Sequence, residues 1–171
     1  MTQIFLVDST GAYLGSFDGP GGGYWNGTEW TNPPAGAITV PTPPPSGDST
    51  WVSNAWVPGP MALVAQAQAM VAAALQAGLT IESTATPALN ATYALDTTTL
   101  DQIKGLKDDV KQSLGLPFTP FYYPDINGTN RGPFAENDVV NLYVAMRNYA
   151  TALDQAAAGQ ASWPVASKTI A

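Results

Sequence analysis

The residue types that most often carry chemistry are missing or scattered in this chain. Its 171 residues include no Cys and no His. Thiolate nucleophiles, disulfides, imidazole general bases, Ser-His-Asp triads and zinc or haem sites built on imidazole or thiolate are thereby excluded. Carboxylate chemistry remains, and a glycosidase-type reaction needs two carboxyl groups converging across a cleft. Asp18, Glu29 and Glu82 each stand isolated in the sequence, so no catalytic residue and no enzymatic activity is expected. Asp125, Asn127 and Asn130 in the run DINGTN offer oxygen ligands on a tight turn, the kind of set a hard cation takes. Their spacing departs from the calcium-loop pattern and the distal Glu is absent, while Asn127-Gly128 by itself accounts for a plain turn. No metal and no cofactor is expected. Asp101, Lys104, Asp108 and Lys111 lie three or four residues apart. They read as a solvated helix face whose ion pairs are worth about 0.2–0.5 kcal/mol each.

Large aromatics are the other residues with functional potential. Four of the five tryptophans, Trp25, Trp30, Trp51 and Trp56, fall in the first 60 residues. Exposed indoles stack on sugar rings or anchor protein interfaces. They also serve as the core of a Gly- and Pro-rich module with few Leu or Ile to bury. Core, partner-binding and sugar-binding readings of these four residues all stay open at this point.

Charge narrows the partners. Six Lys and Arg against 13 Asp and Glu leave a net charge of -7, so the basic footprint of a nucleic-acid binder is missing. Only 11% of residues are charged, against about 25% in an average globular protein, and Ser, Thr, Asn and Gln must solvate the surface. Ile4 to Val7 is too short for a signal-peptide core. The apolar run from Met61 to Ala77 is punctuated by Gln66, Gln68 and Gln76 and falls short of a clean span of about 20 residues, so no membrane insertion is expected. Without a secretion signal, the tripeptides beginning at Asn26, Asn90 and Asn127 are turn chemistry and not glycan acceptors.

The elements that must position these residues follow from the breaks. Gly and Pro cluster at 19–27, 32–36, 41–47 and 58–60, too often for any helix in the first 60 residues. Short β-favouring segments lie between them, the first two joined by a turn at Asp8-Ser9-Thr10-Gly11. The PTPPPSG run reads as an extended, semi-rigid spacer. From Pro60 a helix runs to Ala77, with Pro suited to its first turn and Gly78 to its end. Two strand-like segments at 79–86 and 89–95 form a two-stranded unit. Asp96 or Thr97 caps a second helix reaching Leu114, with Leu100, Ile103, Val110 and Leu114 in register. Phe118–Pro124 and Arg131–Phe134 form a hairpin. A third helix, about 136–158, carries the stripe Val139, Leu142, Tyr143, Met146, Tyr149, Ala150 and Leu153, and a terminal strand ties down the tail. The expected class is α+β, with a hairpin-rich module at 1–40, a Pro-rich spacer with a Trp-containing hairpin at 41–60, and a domain at 61–171 in which helices pack with short antiparallel strands.

The run AGLTIESTATPALNATYALDTTTLDQI resembles a segment of proteins from tailed bacteriophages and prophages, where an Ala-rich helix leads into an L-T-x-x-S-T-x-T-P-A-L-N-x-T-Y-A-L-D pattern. Tyr123-Pro124-Asp125, Tyr149 through Leu153-Asp154, and Ala166 to Ile170 continue that resemblance, which covers roughly residues 60–171. The paired-Trp segment STWVSNAWVPGP before an Ala- and Gln-rich helix is similar in layout to tail-fibre assembly proteins. The resemblance implies a tail-fibre accessory, either a virion component or an assembly chaperone, made in the host cytoplasm and located in the virion tail. It implies other tail proteins as partners, in a homo-oligomer or a hetero-complex, and brings no catalytic residue with it. The alternative reading is a module at the virion tip that binds a host-surface glycan. Ala135-Glu136-Asn137 departs from the Ser or Thr cap of the resembling proteins, and Ile126-Asn127-Gly128 departs from their Gly- or Ser-rich turn.

Overall fold

The computed structural model describes residues 4–17, 24–25, 30–31 and 35–171. The fold is α+β, and the chain divides into two compact units, Met1–Gln66 and Ala67–Ala171.

In the first unit, β1 (Ile4–Val7), β2 (Tyr13–Phe17), β3 (Tyr24–Trp25), β4 (Trp30–Thr31) and β5 (Ile38–Val40) form one sheet in the order β4-β3-β2-β1-β5. The β1–β2 turn is held by Asp8, whose Oδ1 accepts the Thr10 and Ala12 amides at 2.8 and 3.0 Å. A separate hairpin joins β6 (Thr50–Val52) to β7 (Ala55–Val57). Its turn residues Ser53 and Asn54 have φ of 51° and 64°, the pair of left-handed residues that matches the twist of a two-residue hairpin. Residues 41–57 belong to this unit, and the Trp56 indole N–H donates to the Thr42 carbonyl at 3.0 Å. The core is small: Phe5, Val7 and Val40, with Tyr13, Trp51 and Trp56 packed against it.

The unit boundary falls inside α1 (Pro60–Ala77). Gly78, at φ +79°, ends that helix in the left-handed conformation the sequence anticipates. The second unit continues with β8 (Leu79–Ser83), a 3-10 turn at Pro87–Leu89, β9 (Ala91–Tyr93), α2 (Thr97–Lys111), β10 (Phe121–Pro124), β11 (Asn130–Phe134), α3 (Glu136–Ala157) and β12 (Ser167–Ile170). The stripe on α3 builds the core: Val139, Leu142, Met146, Tyr149 and Leu153 are buried with Leu79, Ile81, Leu89, Tyr93 and Ile103. Burying side chains of this size stabilises by roughly 1.5–3 kcal/mol each.

Three expectations are corrected here. The two-stranded unit is a three-stranded sheet in the order β12-β8-β9, and β12 runs parallel to β8 where only antiparallel strands were expected. Parallel strands require a long crossover, and everything from β9 to the end of α3 supplies it. The second helix stops at Lys111, not Leu114. Ser113 turns left-handed at φ 61°, and the Leu114 amide bonds back to the Asp109 carbonyl while Ser113 bonds to Val110. This paired closure leaves Leu114 71% exposed. Lastly, β8 ends at Ser83 rather than continuing to Thr86, because the Ser83 Oγ accepts the Thr86 amide and folds the chain into the 3-10 turn.

Candidate functional site

The pattern that carries the resemblance is architectural at nearly every position. Leu79, Ile81, Leu89, Tyr93 and Leu95 are core. The Asn90 Oδ1 accepts the Ser83 amide at 2.6 Å, and the Tyr93 hydroxyl donates to the Leu89 carbonyl at 2.8 Å. Asp96 caps α2 by accepting the Thr99 amide and hydroxyl at 2.9 and 2.8 Å. These bonds hold its carboxyl below the usual carboxylate range. The motif specifies a β-turn-β-helix cassette, and Glu82, Ser83 and Thr84 within it line a cavity of about 630 Å³.

Several of the polar groups singled out in the sequence are likewise spent on structure. Asp125 is buried, and its Oδ1 accepts the Asn127 and Thr129 amides, both at 2.9 Å. Its Oδ2 meets the Arg131 guanidinium at 2.8–2.9 Å. Burial pushes this carboxyl up, but the Arg131 bond and the Thr129 and Asn127 amides outweigh it and leave the group below its ordinary value. Asn127 and Asn130 are exposed, and among the described residues no cluster of three metal-ligating side chains occurs. Among the described residues one other carboxylate is buried, that of Asp138, which accepts the Ala135 amide at 2.9 Å. This is the N3 half of a capping box, which satisfies the Ala135 amide although Ala135 has no side chain to cap the helix itself. On α2, Asp108 pairs with Lys107 at 2.6 Å, and the Lys107 ammonium also lies 4.6 Å from the Tyr143 ring centre. Asp18, Glu29 and the tripeptide at Asn26 lie outside the described residues.

Of the four tryptophans, Trp25 and Trp30 are cross-strand partners in the β3–β4 pair, and their side chains lie outside the described residues. Trp51 and Trp56 face each other across the second hairpin, with ring centres 5.2 Å apart edge to face. Trp56 also meets Tyr13 at 6.2 Å. Both indoles are half-buried, so this pair is engaged by the small core it covers.

Two surfaces stand out instead. The first is α1, in which no residue is buried and none is charged. Met61, Leu63, Val64 and Met70 are 76%, 52%, 57% and 43% exposed. Val71, Ala74 and Leu75, near the C-terminal end, pack on the second unit's core. Among the described residues α1 is the one helix with the length and mean hydropathy, 1.2, to cross a membrane. The second surface is a cleft of about 380 Å³ between α2 and β10, where Gly105 and Asp109 face Tyr122. No sequence expectation pointed to it, and its available signals were a glycine in mid-helix and the adjacent tyrosines of β10.

No protein-family model, no curated protein and no solved structure matches this chain.

Proposed function

We propose that this chain is a non-enzymatic bacteriophage tail protein, a structural component or assembly factor of the tail fibre that works through protein–protein contacts. The observation that carries the contact role is the uncovered face of α1. No residue of this 18-residue helix is buried, and only Val71, Ala74 and Leu75 near its C-terminal end pack on a core. Here its first turns also expose Met61, Leu63 and Val64 together. Covering apolar surface stabilises by roughly 25 cal/mol per Å², so a second chain seated on these residues gains what solvent forfeits. Charge favours the same surface. No charged residue occurs between Asp48 and Glu82, so approach along α1 avoids the repulsion that a net charge of -7 creates elsewhere. The tail assignment rests on the resemblance of the segment that forms the β-turn-β-helix cassette to tail-associated proteins. The expected partners are further copies or the neighbouring fibre protein, in the virion tail after synthesis in the host cytoplasm.

The test is light scattering at micromolar concentration on the wild type and on a Leu63→Glu/Val64→Glu variant, with and without the fibre protein. Association that the double variant loses, with unchanged circular dichroism, is the expected result. A wild-type monomer indifferent to the fibre protein overturns the proposal, as does partition onto lipid vesicles without any protein association. Presence in purified particles then separates a component from a chaperone.

A further inference from the structure

Gly105 has neither of the usual reasons for being glycine. It sits in the interior of α2, where glycine weakens a helix. Its backbone is not left-handed, and a Cβ built there would meet no atom within 4 Å. What a side chain at this position would do is stand in the cleft that Gly105 lines. Across from it is Tyr122, 43% exposed on β10. The aim of that ring is itself built. Phe121 pairs with Phe134 and Tyr123 with Arg131, so Tyr122 is opposed by two residues, Gly132 and Pro133, in a bulge that redirects side chains. Gly132 has φ +142°, and a Cβ added there would lie 2.9 Å from Tyr122 Cδ1. Only glycine lets the tyrosine rest against the hairpin in this way.

The polar groups at the rim are complementary in kind. Tyr123 donates its hydroxyl to Gln102 Oε1 at 3.0 Å, which fixes the amide with its NH2 donors unspent among the described residues. Asp109 supplies an acceptor seven residues further along the helix, about 10 Å away. No cation lines the cleft, so Asp109 disfavours phosphate, sulfate and carboxylate ligands. An apolar peptide side chain would use the Tyr122 ring but neither the Gln102 donors nor the Asp109 acceptors, which would stay hydrated at the exposed rim. A pyranose ring presents a C–H face to an aromatic and hydroxyls at its rim to an amide and a carboxylate.

We infer that the α2–β10 cleft is a binding site for a neutral saccharide, with one sugar ring on Tyr122 and its hydroxyls on Gln102 and Asp109. The site uses none of the four tryptophans, and it does not depend on the tail assignment or on α1. A single ring in so open a cleft binds with a Kd on the order of 1 mM.

Saturation-transfer NMR on the full chain tests this, with neutral hexoses and N-acetylhexosamines as probes and a sialylated sugar as the anionic comparison. The expected result is transfer strongest to the ring C–H protons of one or more neutral probes. It should be lost in Gly105→Leu and cut at least tenfold in affinity in Tyr122→Ala. Because leucine favours helix and meets no atom at this position, Gly105→Leu should melt no lower than wild type, and unchanged circular dichroism certifies the fold. Absence of transfer from every neutral probe overturns the inference. So does transfer that survives Gly105→Leu, or equal binding of the sialylated sugar.

Discussion

The Asp48 carboxylate caps α1 from thirteen residues upstream: its Oδ2 accepts the Met61 amide at 2.6 Å and the Ala62 amide at 3.3 Å. Pro60 removes one of the free amides at the start of the helix, and Asp48 takes two of the others. Ser46 donates its hydroxyl to Oδ1 at 2.6 Å. That bond, with the Met61 and Ala62 amides, holds the carboxyl below its ordinary range against the opposing effect of burial. Gly59 makes the approach possible, since a Cβ there would collide with Asp48.

Asp48→Ala should therefore fray the first turn of α1, while Asp48→Asn, which keeps an acceptor oxygen, should largely preserve it. Hydrogen exchange at Met61 and Ala62 measures the difference. Equal protection in wild type and Asp48→Ala would remove the cap from the account.

Acid should unfold the protein through its depressed carboxyls. Asp96 and Asp125 lie below the unfolded value of 3.8, so each contributes stability that is present above that value and lost as pH falls through the folded one. Arg131→Met leaves the Asp125 carboxylate buried without its counter-charge, which should raise the midpoint of the acid transition monitored by circular dichroism.

Alkali should act through tyrosine. Burial raises the Tyr93 hydroxyl well above its ordinary 10.0, and burial also pushes Tyr149 and Tyr123 up. A raised tyrosine contributes stability that is complete below the unfolded value and lost as pH climbs above it. With no His and no Cys, no side chain has an ordinary titration between about pH 5 and 8, so melting temperature should be flat there and fall above pH 10. Tyr93→Phe should soften the alkaline limb and cost about 1–3 kcal/mol by stranding the Leu89 carbonyl.

The parallel β12–β8 pairing should be a large contributor to the second unit. Ile170 is buried against Leu79, Ile81 and the α3 stripe, and Ile170→Ala should cost about 2–5 kcal/mol. Denaturant titration reads this directly. A loss below about 1 kcal/mol would mean that β12 is dispensable.

Local physics made much of this fold readable from the sequence. Pro60 and Gly78 bracket α1, Asp96 starts α2, Asn127-Gly128 turns the β10–β11 hairpin, and the spacing of Val139, Leu142, Met146, Tyr149 and Leu153 defines the buried face of α3. Each of these depends on the torsions or periodicity of residues a few positions apart. The absence of His and Cys likewise excludes whole classes of chemistry by composition alone. Tertiary structure decided the rest. The sequence of β12 suits many strands, and only the crossover through α2 and α3 sets it parallel to β8. Ser113 carries no sign that it would turn left-handed and end α2 early. Asp48 and Met61 meet because the hairpin between them brings the chain back, and Gly105 and Tyr122 share a cleft because the α2–β10 packing places them there. Contacts between residues distant in sequence require the chain to close on itself, and no local preference records where it will close.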